Sequence, residues 1–103
     1  MKVIKSNKYV ANKAWGAQLI ANIQGVTTRL HWTDKPYKWH VNDGEEVFVV
    51  LSGEVRMFYK DKGEERSQLL HVGDIFYADD GCEHSAHPVG EARVLVIEKE
   101  GSV

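Results

Sequence analysis

The sequence predicts an all-β domain closed into a barrel or a two-sheet jelly roll, on three observations. Glycines from Gly44 onward recur at positions 44, 53, 63, 73, 81 and 90, in steps of 8 to 10 residues, which is the rhythm of short strands with regular turns. The segments between them, EVFVVLS, EVRMFYK, SQLLHV, DIFYA and ARVLVIEKE, are rich in β-branched and aromatic residues, and none sustains an apolar period near 3.6. Many short antiparallel strands in one small chain must close or stack to hide their edges.

Taken in order, the N-terminal stretch Asn12 to Gln18 is the one place where a short helix is expected. AQLIANI, VTTRLHW and YKWHV extend the strand pattern, with TDKP and NDG as turn chemistry and Pro36 outside any central strand. The run KWHVNDGEEVFVVLSGE, positions 38 to 54, predicts two strands meeting in a hairpin at Asp43-Gly44. The tail KEGSV is expected to fray.

At 103 residues the chain fits one domain, 1–103, with a core of its own and no room for a separate cofactor-binding domain. A net charge of −2 and a pI near 6.2 give no basic excess, so neither nucleic acid nor an anionic membrane surface is an expected partner. The single cysteine, Cys82, cannot form an internal disulfide, and MKVIKSNKYVANKAWG lacks the apolar core of a signal peptide. No run reaches the length of a membrane span, and the expected location is a reducing cytoplasm.

Polar residues crowd the expected hairpin bend. Side chains alternate along a strand, so His40 and Asn42 share a face, opposite Trp39 and Val41. A two-residue turn at Asp43-Gly44 sets Asn42 opposite Glu45, whereas a three-residue loop sets it opposite Glu46; Asp-Gly chemistry favours the former. GDIFYADDGCEH adds a second imidazole, His84, after a glycine turn. Two imidazoles, a carboxylate and an amide oxygen make a set suited to a first-row divalent metal.

These residues resemble a known family. His40-x-Asn42-x3-Glu46-x6-Gly53 is similar to the first motif of the cupins, His-x-His, three or four residues, Glu, six residues, Gly. Gly73-x5-Asp79-x-Gly81-x2-His84 is similar to the second, Gly-x5-Pro-x-Gly-x2-His. The resemblance runs over about positions 25 to 98. It implies a small single-domain cupin of the conserved-barrel type, a double-stranded β-helix or jelly roll with a divalent metal inside, held by two or three His and one Glu. It selects Glu46 over Glu45, against the local turn argument. Asn42 stands where a second His is usual, Asp34 where Gly is, and Asp79 where Pro is. The implied metal set is therefore His40, Glu46 and His84, with Asn42 as a weaker oxygen donor or a residue that orients a ligand. Two His and a carboxylate suit non-haem iron, and the same donors would hold Mn, Co, Ni or Zn.

Around this set, Phe48 and Val50 share parity with Glu46 and should line the barrel. His31, on the face of Arg29, is a candidate pocket residue and, with Tyr77, a candidate base. Glu45, His71 and His87 are expected at the surface, Asp79, Asp80 and Glu83 in a solvated loop, and Cys82 as a loop filler. Trp15, Trp32 and Trp39 are expected between sheets or at a homodimer contact. The expected function is a metal-binding small cupin that binds or acts on a small oxygen-bearing molecule, as an oxygenase or an isomerase. The alternative is a non-catalytic barrel that stores or senses a small ligand.

Overall fold

The computed structural model describes residues 1–102. A short 3-10 turn, Ser6–Lys8, precedes seven strands: β1 (Gly16–Ile23), β2 (Val26–Thr33), β3 (His40–Val41), β4 (Glu46–Asp61), β5 (Glu64–Leu70), β6 (Ile75–Ala78) and β7 (Glu83–Lys99). All pairings are antiparallel, in the order β1-β2-β7-β4-β5, with β3 on β7 and β6 on β4. This is the double-stranded β-helix expected from the sequence. No α-helix occurs among the described residues, and none of their helices is long and apolar enough to cross a membrane.

The expected helix at positions 12–18 is absent. Gly16 begins β1, held at a turn by its N–H donating to the Lys13 carbonyl (3.1 Å), and a side chain there would collide with Ala11. The tail expected to fray is tied down as far as Ser102. The Glu100 N–H donates to the Gly25 carbonyl (2.8 Å) and the Ser102 hydroxyl to that of Asp43 (2.8 Å).

Two glycine positions read as turns between strands are bends inside one strand. β4 joins EVFVVLS to EVRMFYK through Gly53, and β7 runs unbroken through Gly90. The two long strands pair from Glu46↔Glu98 at one end to Tyr59↔His84 at the other, with register shifts between Val50 and Glu54. The irregularity moves the buried face of β4 from even positions (Glu46, Phe48, Val50) to odd ones (Val55, Met57). Thirteen residues of straight strand would hold the ends roughly 40 Å apart. Instead the ribbon doubles over, and Glu46 and His84 come within 3.0 Å. Phe48, Val50, Val55, Met57, Leu70, Ala86, Ala92, Val94 and Val96 form the core enclosed by the fold-over.

The corner is steric in origin. Gly53 has φ +74°, and a Cβ there would lie 2.2 Å from the Glu91 carbonyl oxygen. Gly63, in the β4–β5 turn, has φ +79° with open space around it. Gly53→Ala should therefore cost about 2 kcal/mol or more of unfolding free energy, and Gly63→Ala about 1 kcal/mol from backbone strain alone. Urea denaturation compares them, and equal losses would mean that the approach of Glu91 is unimportant.

Candidate metal centre

The site forms where three strands converge. β3 does not pair with β4, so positions 38–54 are not a hairpin. β3 joins β7 instead, His40↔His84 and Val41↔Glu83, extended by Asn42 N–H to the Cys82 carbonyl (3.0 Å) and Gly81 N–H to the Asn42 carbonyl (3.1 Å). The Asp-Gly turn argument fails because the backbone partners of this segment come from forty residues downstream. Residues 42–45 cross from one pairing to another. Glu45 is exposed and accepts a hydrogen bond from the Tyr77 hydroxyl; Glu46 begins β4 with 7% of its surface exposed. This is the carboxylate that the motif resemblance selected.

One ligand atom from each of His40, Glu46 and His84 lies within 4.8 Å of the other two. The imidazoles of His40 and His84 are direct cross-strand neighbours, with centroids 4.3 Å apart. Each is anchored by Nδ1 near a backbone carbonyl two residues earlier, His40 to Lys38 (3.1 Å) and His84 to Cys82 (3.4 Å). An Nδ1–H donated there leaves Nε2 with a lone pair. Nε2 of His84 stands 3.0 Å from Oε1 of Glu46, close enough for strong attraction to a shared cation, yet out of line for a ring N–H hydrogen bond.

Among the described residues, the buried side-chain polar atoms without a hydrogen-bond partner are Oδ1 and Nδ2 of Asn42 and Oε1 of Glu46. Burial without a partner costs about 1–3 kcal/mol for each such group. Adjacent ligands of a metal at bond lengths near 2.1 Å stand about 3 Å apart, matching the Nε2–Oε1 separation. His40, Glu46 and His84 therefore fit a divalent metal on the orphaned Glu46 oxygen and on their spacing. Burial holds the His40 imidazole below its ordinary pKa, as does the charge of His84, while the Lys38 carbonyl and Glu46 oppose; neutral imidazole is the form that coordinates.

Glu98 emerges from the structure as a site residue without a role in the sequence reading, and Trp15, expected between sheets or at a homodimer contact, lines the cavity. Glu98 sits opposite Glu46 in the β4–β7 ladder and lines the same cavity. The alternation Val94, Val96, Glu98 in ARVLVIEKE is the signal that would have found it, since the two valines are buried. Burial, contact with Glu46 and the Glu46 charge push the Glu98 carboxyl up to about 8, with Arg29 opposing. Burial also acts to raise the Glu46 carboxyl, but contacts with His84 and Glu98 outweigh it and hold it low. The metal-free pair thus keeps one proton at neutral pH.

The cavity measures about 90 Å³. Phe48, Ala86 and Val96 give it apolar wall, and Trp15, Tyr37 and His31 complete it beside the histidines and glutamates. Trp15, Tyr37, His40 and His84 are in successive ring contact at 5.4, 5.0 and 4.3 Å. Trp15 precedes β1 in a left-handed conformation (φ 62°), and its indole N–H donates to the Lys35 carbonyl (2.8 Å). No periodicity announces a residue held in this way.

The remaining candidates lie elsewhere. Tyr77 and His71 are exposed, the latter beside Glu54 and Asp74. His87 bonds Ser85 (3.0 Å) and meets Phe58 edge-on. Cys82, Asp79, Asp80 and Glu83 border a polar groove with Lys60 to Gly63, outside the cavity. Trp32 is buried with its N–H on Glu91, and Trp39 is partly exposed under Lys60.

A β-helix that folds two imidazoles and a glutamate around a small cavity is a barrel with a candidate metal site. The sequence profile of the family described as "Cupin domain" matches residues 30–98, and the chain belongs to that family. Bovine (Bos taurus) 3-hydroxyanthranilate 3,4-dioxygenase is 33% identical over 61 residues, 59% of this chain but 21% of the enzyme's length. A cupin-2 domain protein of Shewanella frigidimarina superposes with TM-score 0.77 at 24% identity, covering 87% of this chain and 85% of that one. Hydroquinone 1,2-dioxygenase in complex with Fe3+ superposes with TM-score 0.78 at 18% identity, over 87% of this chain and 29% of that one. At these identities the two superpositions speak for the fold alone.

The Glu46–Glu98 pair makes stability depend on pH. Between the ordinary carboxyl value of 4.5 and about 8, the folded protein keeps a proton on Glu98 that the unfolded chain has lost. Folding takes up a proton in that window, so stability falls as pH rises through it. Measured without metal by urea denaturation, wild type should lose stability relative to Glu98→Gln as pH rises from about 5 to about 8. A constant difference would mean that Glu98 titrates normally.

Proposed function

We propose that this protein holds one divalent metal ion at His40, Glu46 and His84 and works on a small oxygen-bearing molecule beside it, as an oxygenase. The observation that carries the reading is the convergence of one ring nitrogen from each of His40 and His84 and a buried Glu46 carboxylate oxygen within 4.8 Å. The distant resemblance to a dioxygenase of a hydroxylated aromatic acid supports the reaction class. A metal in this set would supply Lewis-acid polarisation of a ligand oxygen and, if iron, oxygen chemistry.

The chain's own contribution is positioning. The Lys38 and Cys82 carbonyls fix the tautomers and ring orientations of His40 and His84. Asn42, buried and without partners, is a further oxygen donor or orients a water at the same centre. Phe48, Ala86 and Val96 present an apolar wall that excludes water from the reacting face. Glu98 keeps a second, protonated carboxyl beside the Glu46 carboxylate. A reducing cytoplasm suits the free thiol of Cys82.

Protein purified without tag or chelator should contain close to one metal per chain by elemental analysis. His84→Ala should lose most of it while remaining folded by circular dichroism. Glu46→Gln should weaken metal binding at least about tenfold, because an anionic donor becomes neutral, and Glu45→Gln should change little. Oxygen uptake with diols, diketones and hydroxylated rings then tests the reaction; metal retention without uptake favours the non-catalytic barrel.

The reading includes a homodimer, supported by Leu19 and Ile23, exposed on the edge strand β1, and by Val26, exposed beside them on β2. Light scattering at tens of micromolar should give twice the chain mass; a monomer mass there counts against the pairing.

A further inference from the structure

We propose that His31 is the proton acceptor of this site, taking the proton of a hydroxyl on a neutral, compact ligand seated beside the metal centre. The inference rests on the metal reading above and assigns both a ligand class and a further residue to it.

His31 lies on β2, outside the His40–Glu46–His84 cluster, and lines the same cavity. Its Nδ1 is 3.0 Å from the carbonyl oxygen of Trp15, so Nδ1 carries the hydrogen and donates it. Nε2 is then the unprotonated nitrogen. It has no partner among the described residues, and it is absent from the fully enclosed orphan atoms. Nε2 is thus left uncommitted by the protein, and His31 lines this cavity.

Trp15 makes the arrangement rigid. Its carbonyl is aimed at His31 from a left-handed backbone conformation that an L residue adopts at a cost of about 1–3 kcal/mol. The indole N–H holds the far side of the residue to Lys35, and the Trp15 and His31 rings meet edge-on at 6.0 Å. A histidine needed only for packing would not require its tautomer to be set by a strained residue at the cavity wall.

The surrounding charges suit a neutral base. Burial, first of all, and the Arg29 cation on the same strand disfavour the imidazolium, while the Trp15 carbonyl and Glu46 on β4 favour it. Glu98 on β7 borders the same cavity. In the proposed step the ligand O–H bond breaks with its electron pair left on oxygen, and an N–H bond forms at Nε2. The imidazolium created is favoured by the Glu46 charge, and the proton returns to the departing molecule. Apolar and aromatic walls favour a flat, uncharged body, so a small hydroxylated ring is the ligand class.

The test uses zinc-loaded protein labelled with 15N-histidine, and catechol as the probe. In the ligand-free protein the His31 Nε2 resonance should report an unprotonated nitrogen, and saturation with catechol should shift it to the protonated position. His31→Asn keeps a donor for the Trp15 carbonyl but removes Nε2. It should bind zinc as wild type does and catechol about tenfold more weakly. An Nε2 that stays unprotonated in the complex, or equal catechol affinity in the two proteins, overturns the assignment. The resonance in wild type decides the matter even if the variant fails to fold. Zinc binding without any catechol binding at millimolar concentration overturns the ligand class, whereas absence of zinc binding overturns the metal reading beneath it.

Discussion

The corner at Gly53 is the constraint on which the remaining structure depends. The longest ladder in the molecule joins β4 to β7, and its two ends carry Glu46 and His84. Neither residue would meet the other on a flat ribbon. Close approach of the Gly53 backbone to the Glu91 carbonyl lets the ribbon double over, and the accompanying register shift changes which side chains of β4 point inward. The same fold-over encloses the apolar core and gathers the polar site, so packing and site geometry are consequences of one bend. β3 then adds to the open side of β7 and brings His40 beside His84.

Most polar groups in this barrel are satisfied by its ladders and turns, and the unsatisfied buried ones gather at the putting-together of β3 and β4. Asn42 contributes both ends of its amide and Glu46 one oxygen. Unpaired polar atoms in a low-dielectric interior are expensive. A dication held there would convert those costs into coordination. Without it, burial first and the neighbouring Glu46 carboxylate second keep the Glu98 carboxyl from ionising. Site and stability are therefore coupled through the same few groups.

Three histidines around the cavity use one device for different ends. In His40, His84 and His31 a backbone carbonyl lies near Nδ1, at 3.1, 3.4 and 3.0 Å. For the first two, a ring nitrogen converges with the Glu46 carboxylate. For the third it lies outside the cluster, so the same tautomer control leaves a basic nitrogen available to whatever occupies the cavity. The carbonyls come from Lys38, Cys82 and Trp15, in the loops or strand beginnings that flank the barrel, where local backbone geometry is free to serve the site.

The sequence by itself determined the all-β class, the turn at Gly63, the inward parity of Glu46, Phe48 and Val50, and the two motifs holding His40, Glu46 and His84. These are local properties: side-chain alternation, β-branched content and glycine spacing survive in a one-dimensional reading. It misplaced the partner of β3, because a strong Asp-Gly signal describes a possible turn and says nothing of the competing edge on β7. It read Gly53 and Gly90 as ends of strands, since a glycine at a bend and a glycine at a hairpin look alike. Glu98 was legible by parity. Trp15 was not, because its role comes from a carbonyl aimed across the barrel at His31. Only the tertiary structure decided which distant strands share a wall, and therefore which polar side chains face one another, because those contacts follow from the doubling of the β4–β7 ribbon and from no property of any single segment.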